Sequence, residues 1–231
     1  MNKQRGFTLV EIAIVLVIIG LLLGGILKGQ ELINSARVRN LADTATGIQA
    51  AYYGFIDRYR RVPGDWNATG ASTAIGATIA FGGDDSGQID NGTAVAPVYD
   101  EPNAMWVQMA TAGFIQGSYA GGAVPPTNAN GVAPLNAYNN VMLLGRTDGF
   151  LAPPSARLHL IVGRGIPVDV MRELDQKIDD SVPNTGDLRG TPNDNTTGWF
   201  DLISEQDALC VSVDAGPPAV STWNVRSDAQ S

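Results

Sequence analysis

The N-terminal stretch MNKQRGFTLVEIAIVLVIIGLLLGGILKG, residues 1–29, decides how the rest of the chain is organised. Sixteen consecutive residues, from Ile12 to Leu27, carry no charge. Extended back to Phe7, this segment spans about 31 Å as a helix, close to the ~30 Å hydrocarbon core of a bilayer. Two basic residues precede it and favour a cytoplasmic N-terminus. The stretch therefore predicts a helix that crosses a membrane.

A secretory signal peptide is the competing interpretation of the same residues. Such a peptide has an apolar core of about 7–15 residues and ends at a small-residue cleavage site. Here the apolar run is longer, and the polar sequence Lys28-Gly29-Gln30-Glu31 follows it directly. A single-span anchor is therefore favoured over a signal peptide.

An ordinary anchor does not explain Glu11. A carboxylate inside an apolar segment costs roughly 2.5–3.5 kcal/mol on insertion scales and usually marks a function. Glu11 lies four residues after Phe7, one helical turn away. If the chain is cut between Gly6 and Phe7, the new amine lies near this carboxylate at the same membrane depth. The two charges then neutralise each other, within one chain or between neighbouring chains.

The segment Gly6-Phe7-Thr8-Leu9-Val10-Glu11, between a short basic leader and a long apolar run, resembles the class III signal of type IV pilins and type II secretion pseudopilins. The resemblance implies cleavage after Gly6 by prepilin peptidase and N-methylation of Phe7 by the same enzyme. It also implies assembly with identical or related subunits into a helical filament, driven by an inner-membrane platform and an ATPase motor. Glu11 would pair with the Phe7 amine of an adjacent subunit.

The helix is expected to continue past the membrane, because no proline occurs between Lys28 and Pro63. Apolar residues recur beyond Lys28 at alternating spacings of three and four, which predicts one buried helical face. These residues are Val38, Leu41, Ala45, Ile48, Tyr52, Phe55 and Tyr59. An intramolecular core is favoured over a coiled-coil seam, since a globular region follows. One helix over about Phe7 to Arg61 is predicted.

Glycines interrupt the apolar run. Gly20 and Gly24 have the small-xxx-small spacing that lets membrane helices approach closely. In assembled pili of the family that this chain resembles, the helix is locally unwound in this region. The chain departs from many major pilins because it has Lys28, and no proline, in the corresponding stretch. Close helix packing is therefore the prediction, and not local melting.

Four segments follow from these patterns: a leader (1–6), a membrane or filament-core half-helix (7–28), an amphipathic half-helix (29–62) and a head (63–231). In the head, a short helix is predicted from Glu101, and another opens at Pro167. Strands are predicted over 140–145, 157–162 and 208–213. Residues 64–155 otherwise indicate loops around short elements. The predicted class is α+β: a long helix packed on a small antiparallel sheet with long loops.

The head also resembles a subset of the family. Segments 61–65, 106–115 and 177–186 look like its exit turn, second helix and acidic turn, with Ser181 where glycine is commoner. Many major pilins close a C-terminal loop with two cysteines, which the lone Cys210 does not allow. A buried structural thiol is the favoured role for Cys210.

Two acidic groups suggest a calcium site. Asp84, Asp85 and Asp90 supply oxygen ligands around glycines, as a calcium loop requires. Asp179 and Asp180, with Asp175, form the second group near a turn. Some pseudopilins bind calcium in the head, but the first segment lacks the final Glu of an EF-hand loop. An ordinary Asp/Asn/Gly-rich surface turn is the alternative.

Composition limits the remaining function classes. The formal charge of −8 argues against a nucleic-acid surface. One His and one Cys exclude most zinc cages, and the chain has no P-loop, Gly-x-Ser-x-Gly or His-Glu-x-x-His motif. His159 and Cys210 could form a dyad in principle, but both look like strand residues. Gly163-Arg164-Gly165 lacks the third glycine and the downstream acidic residue of a dinucleotide-binding fingerprint. A non-enzymatic role is therefore predicted.

Three filament roles stay open. The chain is expected to be a subunit of a type IV pilus-like filament, made as a single-pass inner-membrane precursor with a periplasmic head. The alternatives are a pseudopilin of a periplasmic type II secretion piston and a minor pilin or adhesin. In the last case Trp199 or Trp223 would be an aromatic binding platform, although each is more often a core residue. The weakly charged, loop-rich head slightly favours a subunit of an exposed pilus.

Overall fold

The computed structural model describes residues 9–89, 99–147, 157–163, 166–182, 186–188, 211–214 and 220–223. One helix, α1 (Leu9–Tyr59), runs for 51 residues without a break, about 77 Å at 1.5 Å per residue. It ends where Arg60 adopts a left-handed φ of 56°, and Pro63 follows shortly after. The long helix predicted from the sequence is thereby confirmed, and its first two residues lie outside the described part of the chain.

Short elements follow α1 and make the described fold α+β, as predicted. They are α2 (Ala68–Ile75), α3 (Asp100–Thr111), β1 (Leu143–Thr147), β2 (Arg157–Ile161), α4 (Val168–Ile178), β3 (Val211–Asp214) and β4 (Val220–Trp223). Strands β1 and β2 pair antiparallel, with Leu143 opposite Ile161. Strands β3 and β4 pair antiparallel, with Val211 opposite Trp223. The described strands thus form two separate two-stranded sheets.

The main hydrophobic core lies between the C-terminal half of α1 and α3. Met105, Trp106 and Met109 of α3 are fully buried, as is Phe55 of α1. The Phe55 ring lies 5.7 Å from the Phe114 ring and 6.2 Å from the Trp66 ring, both tilted or edge-on. Such arrangements are the favoured ones for aromatic pairs. The predicted helix beginning at Glu101 is confirmed, and it contributes Met105, Trp106 and Met109 to this core.

A second, smaller core joins α4 to the middle of α1. Val38 and Leu41 of α1 pack there against Val170 and Leu174 of α4, all almost completely buried. Together the two cores bury one face of α1 over residues 38–59. The alternating spacing of apolar residues thus marks an intramolecular core, as predicted.

Several boundaries differ from the sequence prediction. Helix α2 lies in a region that was predicted to be mostly loop. The prediction was wrong here because the helix is made of small residues such as Ala, Thr and Gly, and only Ala71 is buried. Its caps are nonetheless regular: the Asn67 side chain accepts a hydrogen bond from the Gly70 N–H, and Gly76 is left-handed. Strand β1 begins three residues later than predicted, and β4 was not predicted. Strand β3 (Val211–Asp214) falls within and just beyond the predicted strand 208–213, whose first three residues lie outside the described part of the chain.

Candidate functional site

The N-terminal half of α1 is the largest unusual surface of the described structure. Every residue from 9 to 28 is exposed, and its large apolar side chains expose between 45% (Ile19) and 86% (Leu9) of their surface. Continuous apolar surface of this size marks contact with a membrane or with other protein. Within the described residues, α1 is the one helix long and apolar enough to cross a bilayer, and none of its most apolar window is buried.

The glycines of this half do not break the helix. Gly20 and Gly24 lie within continuous α1, and a Cβ added to either residue would meet nothing within 4 Å. The helix therefore presents open backbone at two positions one turn apart. The fold agrees with the prediction that the helix is not melted here, while packing of another helix against these glycines stays a prediction.

Charged residues lie near both ends of the apolar segment. Glu11 lies in the first turn of α1 as the structure describes it, where a carboxylate complements the helix dipole. Lys28 Nζ lies 2.6 Å from Glu31 Oε2 on the exposed surface at the other end. Gly6 and Phe7, the predicted cleavage and methylation residues, lie outside the described part of the chain.

The chain leaves α1 through the segment 61–65, which α3 holds in place. The Gly64 N–H donates to Gln108 Oε1 at 2.9 Å, and Gln108 Nε2 donates to the Trp66 carbonyl at 2.7 Å. Gly64 has a φ of 91°, and a Cβ there would collide with the Glu101 carbonyl and with Met105. Only glycine fits this position. The predicted exit turn is therefore a tightly fitted joint between α1 and the head.

A carboxylate cluster adjoins this turn. Asp65, Asp84 and Glu101 each place an oxygen within 4.8 Å of the others. Asp65 and Glu101 are buried, at 4% and 7% exposure, and Asp84 is exposed. The sequence pattern indicated Asp84 but neither Asp65 nor Glu101, since 17 residues or more separate each member from the next along the chain. No local spacing signal could have found the cluster.

The Asp65 carboxylate closes the loop that carries Asp84. Its Oδ1 accepts a hydrogen bond from Ser86 Oγ at 3.1 Å, and its Oδ2 accepts one from the Gly87 N–H at 3.0 Å. Burial raises the pKa of Asp65 above its usual value of 3.8, and these hydrogen bonds oppose the rise. The nearby Asp84 charge raises the pKa further.

The other residues of the first predicted calcium group are placed differently. Asp85 faces away from the cluster's partners: its carboxylate accepts from Asn67 Nδ2 at 2.5 Å and lies 3.8 Å from Arg61 Nη1. Asp90 lies outside the described residues. Asp85 is therefore not a member of the group formed by Asp65, Asp84 and Glu101, and its role as a calcium ligand stays a prediction.

The second acidic group is brought together as predicted. Asp175, Asp179 and Asp180 place their oxygens within 4.8 Å of one another at the end of α4. The Asp179 carboxylate also accepts hydrogen bonds from the Asp187 and Leu188 N–H groups. Ser181, where the resembling motif has glycine, adopts a left-handed φ of 67°. Calcium takes six to eight oxygen ligands, and calcium binding at either group stays a prediction.

The enzymatic alternative gains no support from the described residues. His159 lies on β2 opposite Gly145, and Cys210 lies outside the described part of the chain. Asp65 and Glu101 lie at the joint between α1 and α3, where the Asp65 carboxylate accepts hydrogen bonds from Ser86 Oγ and the Gly87 N–H.

Residues 1–27 match the family described as the prokaryotic N-terminal methylation motif. This motif is a class III signal, typical of type IV pilins and type II secretion pseudopilins, which are structural subunits and not enzymes. No curated protein and no solved structure matches the chain.

The match indicates which kind of protein carries the exposed half of α1. It implies a subunit of the pilin-like or pseudopilin kind that is processed by prepilin peptidase and assembles with other such subunits. It also indicates an inner-membrane precursor. The matched residues end where the charged pair of Lys28 and Glu31 begins, so the match covers the exposed half of α1 and none of the head.

Proposed function

We propose that the chain is the structural subunit of a type IV pilus-like filament. It is made as a membrane-anchored precursor, cleaved after Gly6, N-methylated at Phe7, and assembled through the apolar half of α1. In this proposal residues 1–6 are the leader, residues 7–28 span the membrane and later line the filament core, and residues 63–231 form the head.

The observation that carries the proposal is the complete exposure of α1 from Leu9 to Lys28 on a helix that continues into the head. In the precursor, lipid covers this surface. In the filament, the same surface is covered by equivalent helices of neighbouring subunits, which are as apolar as the lipid they replace. A rigid continuous helix transmits the position of its apolar half to the head, so packed helices impose a regular array of heads.

Charge pairing gives the assembly its register. A buried carboxylate is costly without a partner, and the methylated amine of Phe7 in an adjacent subunit supplies one for Glu11. A subunit that enters out of step places the Glu11 carboxylate against apolar side chains of its neighbours instead of against this amine. The partners of this cycle are prepilin peptidase, which also methylates Phe7, an inner-membrane platform and an ATPase motor, with the head on the periplasmic side before extraction.

Shearing of intact cells followed by intact-mass measurement tests the proposal. The expected result is protein in the sheared fraction with residues 1–6 removed and Phe7 methylated. Cells that lack the peptidase are the control and must retain the full-length mass in the membrane. Uncleaved protein in cells that contain the peptidase contradicts the proposal and leaves a plain membrane anchor.

The same measurement distinguishes the pilus from the secretion pseudopilus. Mature, methylated protein confined to the membrane and periplasm would contradict a surface pilus and assign the chain to a short periplasmic filament or to a minor subunit.

A further inference from the structure

Two polar atoms in the centre of the head are buried without a hydrogen-bond partner among the described residues: Asn103 Oδ1 and Trp106 Nε1. Both residues are fully buried. One atom only accepts hydrogen bonds and the other only donates them. Leaving such a group unsatisfied costs about 1–3 kcal/mol, so two together in one core require a physical reason.

The two side chains lie on the same face of α3. They are three residues apart, a spacing that puts their Cβ atoms about 5–6 Å from each other. Both face the segment 119–124: Asn103 Nδ2 donates to the Gly122 and Val124 carbonyls at 2.6 and 2.8 Å, and the Trp106 ring lies 6.2 Å from the Tyr119 ring. The two bonds from Nδ2 fix the orientation of the amide.

We propose that Asn103 Oδ1 and Trp106 Nε1 bind one internal water molecule between α3 and the segment 119–124. Water donates to Oδ1 and accepts from the indole N–H, so it satisfies both groups at once. With hydrogen bonds of about 2.9 Å on each side, one water molecule bridges polar atoms up to about 6 Å apart, which is the scale of the Cβ spacing of this pair. Buried waters of this kind bind to otherwise unsatisfied polar groups and are costly to remove.

The water completes the attachment of the segment 119–124 to α3. Asn103 already holds the carbonyls of Gly122 and Val124, and the water couples that amide to Trp106, one of the largest core residues. A substitution at either residue should therefore also change the contact of the other side chain with water.

Nuclear magnetic resonance on the full-length protein in detergent micelles tests this proposal, with bulk water as the probe. We expect cross-peaks to water from both the Trp106 indole proton and the Asn103 amide protons, with the sign of dipolar contact with a water that tumbles with the protein. Trp106→Phe assigns the indole signal and should also remove the Asn103 cross-peak. Trp66→Phe, a matched indole deletion in the same core, should leave both cross-peaks.

Wild-type protein without either cross-peak, or with a cross-peak from only one of the two residues, would overturn the proposal, and this result needs no variant to fold. Survival of the Asn103 cross-peak in Trp106→Phe would overturn it as well.

Discussion

From Leu9 to Lys28 the side chains of α1 are exposed on every side, whereas from Val38 to Phe55 five residues of the same helix are buried under the head. The backbone is continuous and helical in both halves. The difference lies in sequence pattern: the first half is apolar on all faces, and the second is apolar on one. The second half therefore finds its partner within the chain, while the first needs one from outside.

The largest effect on the apolar half of α1 is expected from removal of the processing signal. Gly6→Ala should leave the protein uncleaved in the membrane, because the class III signal has glycine itself at the scissile bond, and the first half of α1 would then stay in the lipid. Intact mass of membrane fractions measures the outcome, with Gln4→Ala as the control in the same leader. A normal mature mass for Gly6→Ala would refute the leader assignment.

The next largest effect concerns Glu11. Glu11→Leu should insert and be cleaved normally, since leucine is favoured in lipid, but it should lose most of its filament yield because the Phe7 amine of the neighbouring subunit has no counter-charge. Sheared filament and membrane pools are quantified together. Glu31→Leu, which removes a carboxylate beyond the apolar segment, is the matched control. Filament yield equal to wild type in Glu11→Leu would refute charge pairing.

One substitution in each half of α1 tests whether the buried half stabilises the head and the exposed half serves assembly. Phe55→Ala removes a fully buried ring and should destabilise the head by about 3–5 kcal/mol, a fall in melting temperature on the order of 10 °C. Leu16→Ala, at an exposed position, should leave the melting temperature of the detergent-solubilised protein unchanged and reduce filament yield. Equal effects of the two variants on melting would show that the halves are not independent.

A smaller effect is expected from calcium at the joint between α1 and α3. If Asp65, Asp84 and Glu101 bind the ion, saturating calcium should stabilise the head by about 2.7 kcal/mol at a hundredfold excess over the dissociation constant. Asp84→Asn should abolish the calcium-dependent rise in melting temperature, and Asp57→Asn on exposed α1 should not. Identical melts in calcium and in chelator would contradict a calcium site.

The smallest effect concerns the pH dependence of the same joint. Because burial raises the pKa of Asp65, the folded state binds this proton more tightly than the unfolded chain. Its contribution to stability is therefore fullest below the unfolded value of 3.8 and declines as pH rises through the folded-state pKa. Asp65→Asn should remove this decline, so the difference in melting temperature between variant and wild type should shift in favour of the variant as pH rises above 3.8. Parallel curves of melting temperature against pH for wild type and Asp65→Asn would contradict a role of Asp65 in this pH dependence.

The sequence by itself determined the long helix and the division of that helix into an apolar and an amphipathic half. Both properties depend on local periodicity and composition, which a single segment carries. Helices α3 and α4 were predictable for the same reason. Helix α2 was not, because its weakly apolar residues are held by caps that involve few side chains.

Only the tertiary structure decided which carboxylates meet. Asp65, Asp84 and Glu101 belong to a turn, a loop and a helix, and they converge because Gly64 permits the close approach of α1's exit turn to α3. The same holds for the fully buried Gln108, which links that turn to α3 through two hydrogen bonds. Local sequence pattern encodes which face of an element is apolar, but contacts between distant segments depend on how those faces pack.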